Sequence, residues 1–123
     1  MIINHVSLGV ANVSLAIKFY DLVLLTLSIK RSHYIDNVAA AYGENLEFWI
    51  GCPCKDKPTQ GNGTHIAFNA PNKDAVDLFY VTALELGGSC EGKPGLRPEY
   101  GANYYAAFVR DLDGNKIEAV SIG

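Results

Sequence analysis

A strong excess of charge of either sign is missing from this chain. Ten Lys and Arg stand against 13 Asp and Glu, a formal net charge of −3, and the basic residues are scattered. No basic field for nucleic acid can arise from such a distribution. Long apolar runs are missing too: none approaches the ~20 residues that span a bilayer. Residues 1–11 lack the charged start and long apolar stretch of a signal peptide, so the expectation is a mature, cytoplasmic chain. Cysteine is scarce and odd in number, with Cys52, Cys54 and Cys90 only, which argues against a disulfide framework. Cys52-Pro53-Cys54 has neither the spacing of a redox pair nor a second pair for tetrahedral zinc, so free thiols in a loop are expected. There is no Gly-rich phosphate loop, no G-x-S-x-G elbow and no Ser-His-Asp arrangement.

The rest of the composition is ordinary for a globular protein: 123 residues, 49% hydrophobic and 19% charged. That size suits one domain with one sizeable core.

The distinctive feature is an internal repeat. Asn4-His5-Val6-Ser7-Leu8-Gly9-Val10 resembles Thr64-His65-Ile66-Ala67-Phe68-Asn69-Ala70, an offset of 65 − 5 = 60 that also carries Phe19-Tyr20 onto Phe79-Tyr80. Gly43-Glu44-Asn45-Leu46-Glu47 resembles Gly114-Asn115-Lys116-Ile117-Glu118 at an offset of 118 − 47 = 71, which implies an insertion of 71 − 60 = 11 residues in the second copy.

Each copy reads as strand, helix and small meander. Residues 2–10 alternate with period two, placing Val6, Leu8 and Val10 opposite His5, Ser7 and Gly9. Asn12 or Ser14 can cap a helix running to about Leu25, in which Leu15, Phe19 and Leu22, and Ile17, Tyr20 and Leu24, recur at helical spacing. Extended runs follow at about Ser28–Tyr34, Val38–Tyr42 and Leu46–Ile50. Residues 52–62 have a linker composition. In the second copy Thr64–Ala70 is a strand, and Asn72 caps a helix that Gly87-Gly88 stops. Ser89–Tyr100 reads as irregular, and Tyr104–Arg110 and Lys116–Ile122 as strands joined through Asp113-Gly114. The expected fold is therefore α+β, a single domain of two βαβββ modules at about 1–51 and 63–123.

His5, Glu47, His65 and Glu118 are the polar members of otherwise apolar strands. Imidazole and carboxylate suit a divalent ion such as Zn, Ni, Mn, Co or Fe(II), and one carboxylate can double as a base. The repeat makes a shared metal or ligand site the expectation. Asp111-Leu112-Asp113-Gly114-Asn115 opens like a calcium loop, but the required Gly and Glu positions fall on Lys116 and Ile122, so the turn is read as structural. His33 reads as a surface histidine. Tyr34, Trp49, Tyr104 and Tyr105 read mainly as packing residues. Trp49, Arg97, Tyr100 and Tyr105 are the candidates for substrate contact, Arg97 and Tyr100 because binding loops favour irregular Gly/Pro stretches.

These segments carry a resemblance. His5-Val6-Ser7-Leu8-Gly9-Val10 with Phe19-Tyr20, Leu46-Glu47-Phe48-Trp49, Gly63-Thr64-His65-Ile66-Ala67-Phe68, and the run from Phe108 to Glu118 resemble the vicinal oxygen chelate superfamily. That superfamily includes glyoxalase I, extradiol dioxygenases, fosfomycin-resistance enzymes and bleomycin-resistance proteins. The resemblance implies a cup-shaped mixed sheet around a divalent metal, with ligands at His5, Glu47, His65 and Glu118, or at His5, His65 and Glu118 alone. It implies a lyase, isomerase or dioxygenase acting on a small oxygenated substrate, with Glu118 and Glu47 in catalytic roles. It also implies a homodimer, sometimes with each site completed from two chains. The alternative it carries is a non-catalytic small-molecule-binding protein of the bleomycin-resistance kind. Gly9 departs from the basic residue with which glyoxalase I commonly grips glutathione.

Overall fold

A computed structural model describes residues 2–123. The elements run β1 (Val6–Gly9), α1 (Val13–Leu25), β2 (Arg31–Ile35), β3 (Ala39–Tyr42), β4 (Phe48–Gly51), β5 (His65–Asn69), α2 (Lys73–Glu85), β6 (Ser89–Leu96), β7 (Tyr105–Arg110) and β8 (Lys116–Ser121). They form two four-stranded sheets, ordered β1-β4-β3-β2 and β5-β8-β7-β6. In each, the first strand runs parallel to the last and the remaining pairs are antiparallel. The α+β, two-module architecture expected from the repeat is the one observed.

Both helices start in the same way. The Asn12 side chain accepts from the Leu15 N–H at 3.0 Å, and Asn72 accepts from the Ala75 N–H at 2.8 Å, each satisfying an otherwise unpaired first-turn donor. The helices bury one face on the sheets. For α1 that face is Val13, Ala16, Phe19, Tyr20, Val23 and Leu24. Of the residues that recur at helical spacing, Leu15 and Leu22 are each 51% exposed, while Phe19, Tyr20 and Leu24 are buried. One apolar cluster draws on both modules. Phe48 and Phe68 meet edge-on in it, with centroids 4.9 Å apart.

The modules are also tied by a buried polar clasp. The Tyr20 hydroxyl donates to Asp111 Oδ2 at 2.6 Å. Asn115 Nδ2 donates to Asp111 Oδ2 and to the Gly9 carbonyl, both at 3.0 Å, and the Ala11 N–H donates to Asp113 Oδ1 at 2.9 Å. Burial first, and then the Asp111 charge, push the Tyr20 hydroxyl well above the usual tyrosine range, so it stays a proton donor.

Residues 89–96, expected to be irregular, form β6. The ladder with β7 shifts register twice, between Cys90 and Gly92 and between Gly92 and Gly95. An edge strand tolerates such bulges, and Pro94 costs it little because its outer side pairs with nothing. Added Cβ atoms at Gly92 and Gly95 would crowd Phe108 Cδ1 (3.0 Å) and the Arg97 guanidinium (3.2 Å), so the glycines that disguise the strand let it lie against the β7 side chains.

Candidate functional site

The pairing register fixes which side chains share a face. Across β7 and β8, Phe108 lies opposite Glu118; across β5 and β8, Ala67 lies opposite Glu118 and His65 opposite Lys116. His65, Lys116, Glu118 and Phe108 therefore project from the face of the second sheet that α2 does not cover. Together with Glu91, Gly92, Arg97, Glu99, Tyr100 and Tyr104 they line a cavity of about 450 Å³.

At its floor Glu118 is only 2% exposed, while His65 beside it is 39% exposed. His65 Nε2 and Glu118 Oε1 are 3.0 Å apart. The Tyr104 hydroxyl donates to the other oxygen, Oε2, at 2.5 Å. A carboxylate so buried is tolerable only with such partners. Burial first, then its bond to Glu118, push Tyr104 up to about 12, so its proton stays in place well into alkaline solution. The rim is basic. Arg97 Cζ lies 5.5 Å and Lys116 Nζ 5.1 Å from the Phe108 ring centroid, within cation–π range.

The first module presents something different. Val6 pairs with Phe48 and Ser7 with Trp49, while Ile66 pairs with Ile117 and Ala67 with Glu118. The offset between first strands is 66 − 6 = 60 and between last strands 117 − 48 = 69. The second copy is thus longer by 69 − 60 = 9 residues, which corrects the 11 inferred from residue likeness. On the observed register Trp49 is the counterpart of Glu118, and Glu47 of Lys116. A slide of two residues keeps every side chain on its face, so the apolar alternation could not reveal it.

His5 is exposed, its Nδ1 2.7 Å from Asn4 Oδ1. Its ring meets Trp49 edge-on at 6.4 Å, and His33 meets the same indole at 5.8 Å; the surface histidine has an aromatic neighbour after all. Trp49 Nε1 donates to the Leu46 carbonyl at 2.9 Å. Leu46 is left-handed at φ 57°, and the turn carries the Glu47 carboxylate back to accept from the Asn45 N–H at 2.8 Å. Glu47 lines another hollow, of about 410 Å³, beside Val6, Phe48, Ile66 and Phe68.

The structure therefore brings His65 and Glu118 together and places His5 and Glu47 elsewhere. Imidazole nitrogen and carboxylate oxygen are both ligand types for a divalent ion. Two donors do not complete a site, however, and among the described residues no three His, Cys, Asp or Glu side chains gather closely enough to hold a metal ion. The described residues of one chain alone do not fit a divalent centre.

Of the four substrate candidates, Arg97 and Tyr100 line the Glu118 cavity. Trp49 stands on the other sheet. Tyr105 faces the helix side, its hydroxyl donating to Asp77 Oδ1 at 2.6 Å. Tyr104, Phe108 and Lys116 are site residues that the sequence reading did not place there. The parity that puts Phe108 opposite Glu118 also puts Tyr104 on that face, so strand alternation held a usable signal for both.

Comparison with known proteins agrees with this architecture. A family model described as the Glyoxalase/Bleomycin resistance protein/Dioxygenase superfamily matches residues 2–119. A glyoxalase/bleomycin resistance protein from Albidiferax ferrireducens T118 is 33% identical, with 98% of each chain covered and a TM-score of 0.87. A glyoxalase/bleomycin resistance protein/dioxygenase family enzyme from Burkholderia phytofirmans PsJN shares the fold at 14% identity, 98% coverage of each chain and a TM-score of 0.75. Lactoylglutathione lyase from Agrobacterium tumefaciens does so at 16% identity, over 97% of this chain and 92% of that one, with a TM-score of 0.66. No curated protein matches the sequence. Matched along nearly its whole length, the chain belongs to the Glyoxalase/Bleomycin resistance protein/Dioxygenase superfamily.

Proposed function

We propose that this chain is an enzyme of the lyase or isomerase kind that moves a proton on a small oxygenated substrate held in the Glu118 cavity. The observation that carries this reading is the Glu118 carboxylate, 2% exposed, gripped by Tyr104 and His65 at the floor of an open cavity. Glu118 takes a proton from the carbon beside a substrate carbonyl and returns it to the neighbouring atom. Tyr104 holds the carboxylate in place and keeps its own proton. His65, the more exposed partner, orients the carboxylate through Nε2.

A divalent ion belongs to this reading only in a homodimer. His65 and Glu118 would hold it, a second copy of the chain would bring the remaining ligands, His5 first among them, and the ion would supply positive charge to adjacent substrate oxygens. Glu47, turned onto its own loop, has no part in proton transfer here. The exposed free thiols of Cys52, Cys54 and Cys90 support a reducing compartment, the cytoplasm. No helix of the described residues is long and apolar enough to cross a membrane.

The test is solvent-deuterium exchange into a panel of hydroxyketones, hydroxyaldehydes and oxo acids, followed by NMR. The protein should catalyse exchange in at least one compound, and Glu118→Gln should slow it by about 10²–10⁴-fold. A second reading, a binding protein without chemistry, is favoured by Trp49 standing where Glu118 has its counterpart. Ligand-induced shifts of His65 and Tyr104 resonances without exchange in any compound would select that reading and sink the enzymatic one.

A further inference from the structure

We infer that Asn62 is a site of self-modification. Its side-chain amide is lost to attack by the backbone nitrogen of Gly63, which leaves aspartate or isoaspartate in the loop that leads into β5. Water is the only co-reactant. The site lies outside the Glu118 cavity, so it stands whatever that cavity binds.

Asn62-Gly63 is the only Asn-Gly step in the sequence. Every other asparagine precedes a residue with a side chain, which crowds the next backbone nitrogen. Several of those amides are also held in place. Asn12 and Asn72 cap the helices, and Asn115 Nδ2 donates to Asp111 and to the Gly9 carbonyl. Asn62 has neither protection. It is exposed, in an irregular segment just before β5. Among the described residues no partner bonds its amide or the Gly63 N–H. A Cβ built on Gly63 would meet nothing within 4 Å, and its φ of 91° is one that glycine adopts freely. Neither reacting group is therefore held away from the other.

The Asp113-Gly114 step offers related chemistry, and the fold blocks it. Asp113 Oδ1 accepts from the Ala11 N–H at 2.9 Å, and the Gly114 N–H donates to the Asp111 carbonyl at 3.1 Å. Both groups that would react are bonded elsewhere, in a turn that also carries the buried clasp. One step is fixed and the other is free.

The reaction balances without a redox partner. The Gly63 nitrogen gives its proton to solvent base and attacks Asn62 Cγ, closing a cyclic imide. The Cγ–Nδ2 bond breaks, and Nδ2 takes up a proton and leaves as ammonia. Water then opens the imide on one of two sides. Cleavage of the new N–Cγ bond leaves aspartate. Cleavage of the original peptide bond leaves isoaspartate, with the main chain rerouted through Cγ.

Either product takes the formal net charge from −3 to −3 − 1 = −4. The new carboxylate opens onto a hollow of about 450 Å³ that Asn62 lines with Thr59, Gln60 and Arg110. Arg110 is the one charged residue of that lining, so the new charge has a counter-ion at hand. Isoaspartate also lengthens the main chain by one carbon, just ahead of His65 at the start of β5.

The experiment is ageing of the folded protein in mildly alkaline buffer at physiological temperature. Isoelectric focusing reads the charge, and peptide mapping with fragmentation that distinguishes isoaspartate reads the position. A more acidic band should grow, faster at higher pH, and its altered peptide should be the one holding residue 62. In a parallel sample unfolded in urea, the rate at Asn62 should stay within about threefold of the folded rate, while isomerisation at Asp113 should rise by at least about tenfold. Gly63→Ala should slow the loss by at least about tenfold, and Asn62→Gln should remove the acidic band without moving the melting temperature. An Asn62 amide that survives in the folded protein and is lost only in urea would overturn the inference. So would an acidic band that persists in Asn62→Gln, or isomerisation at Asp113 that is as fast folded as unfolded.

Discussion

The two modules share one plan and differ where it matters most. Each places a histidine at or just before the start of its first strand and pairs that strand in parallel with its last. At the matching point of the last strand, the second module has Glu118, buried and hydrogen-bonded on both oxygens, and the first has Trp49, flanked by His5 and His33. One site can accept and hold a proton; the other offers an indole face and two exposed imidazoles. Duplication thus supplied two equal frames, and one residue on each separates their chemistry. Glu47, which sequence likeness pairs with Glu118, is tied to its own turn.

The largest effect that tests this contrast should come from Glu118→Gln, with proton exchange down by about 10²–10⁴-fold and Glu47→Gln within about twofold of wild type in the same assay. Comparable losses in both variants would restore a four-residue site. Next, Trp49→Glu should give the first module a His5–carboxylate pair like that of His65 and Glu118. Zinc affinity measured by titration should rise about tenfold, and thermal stability should fall by about 1–3 kcal/mol for the lost indole packing. No gain in zinc affinity would mean that the frames are less alike than their registers.

A smaller contrast lies just past the helices. The second module turns out of α2 through Gly87 at φ 102°, whereas the first leaves α1 through Ser28 at φ 63°. Glycine has no Cβ to strain there. Ser28→Gly should stabilise the protein by about 0.5–1 kcal/mol in urea titrations, and the same or lower stability would show that Ser28 is not strained. Smallest is Tyr104→Phe, read in alkaline solution. The folded state raises Tyr104 from 10.0 to about 12, so its contribution is whole below pH 10 and disappears as pH climbs through 12. The variant should lose that part of the pH dependence of its unfolding midpoint, leaving the parts due to Tyr20 and Tyr42. An unchanged alkaline profile would mean that Tyr104 and Glu118 are not coupled.

Much of this was legible in the residues. Period-two alternation located β1, β5, β7 and β8, and Asn12 and Asn72 announced both helices, because these signals are local. What failed was non-local. Glycine-rich β6 is held by its pairing with β7 and not by its own propensity. The face of α1 is set by what packs against it, since two apolar series recur at helical spacing and only part of each is buried. The choice between Glu47 and Trp49 depends on strand register, to which alternation is blind in steps of two. His65 and Glu118, legible as candidates, became a pair only through the parallel β5–β8 ladder. Lys116 joined them through the same ladder, opposite His65.

The clasp from Tyr20 and Gly9 to the turn at 111–115 has a bearing on biosynthesis. Its bonds join residues 91, 102 and 106 positions apart, so a ribosome that has released the whole first module has still not supplied the acceptors for Tyr20. The N-terminal half, although translated first, waits with a polar hydroxyl among apolar neighbours until nearly the last strand emerges. The first half therefore completes its polar contacts only once the second has been made.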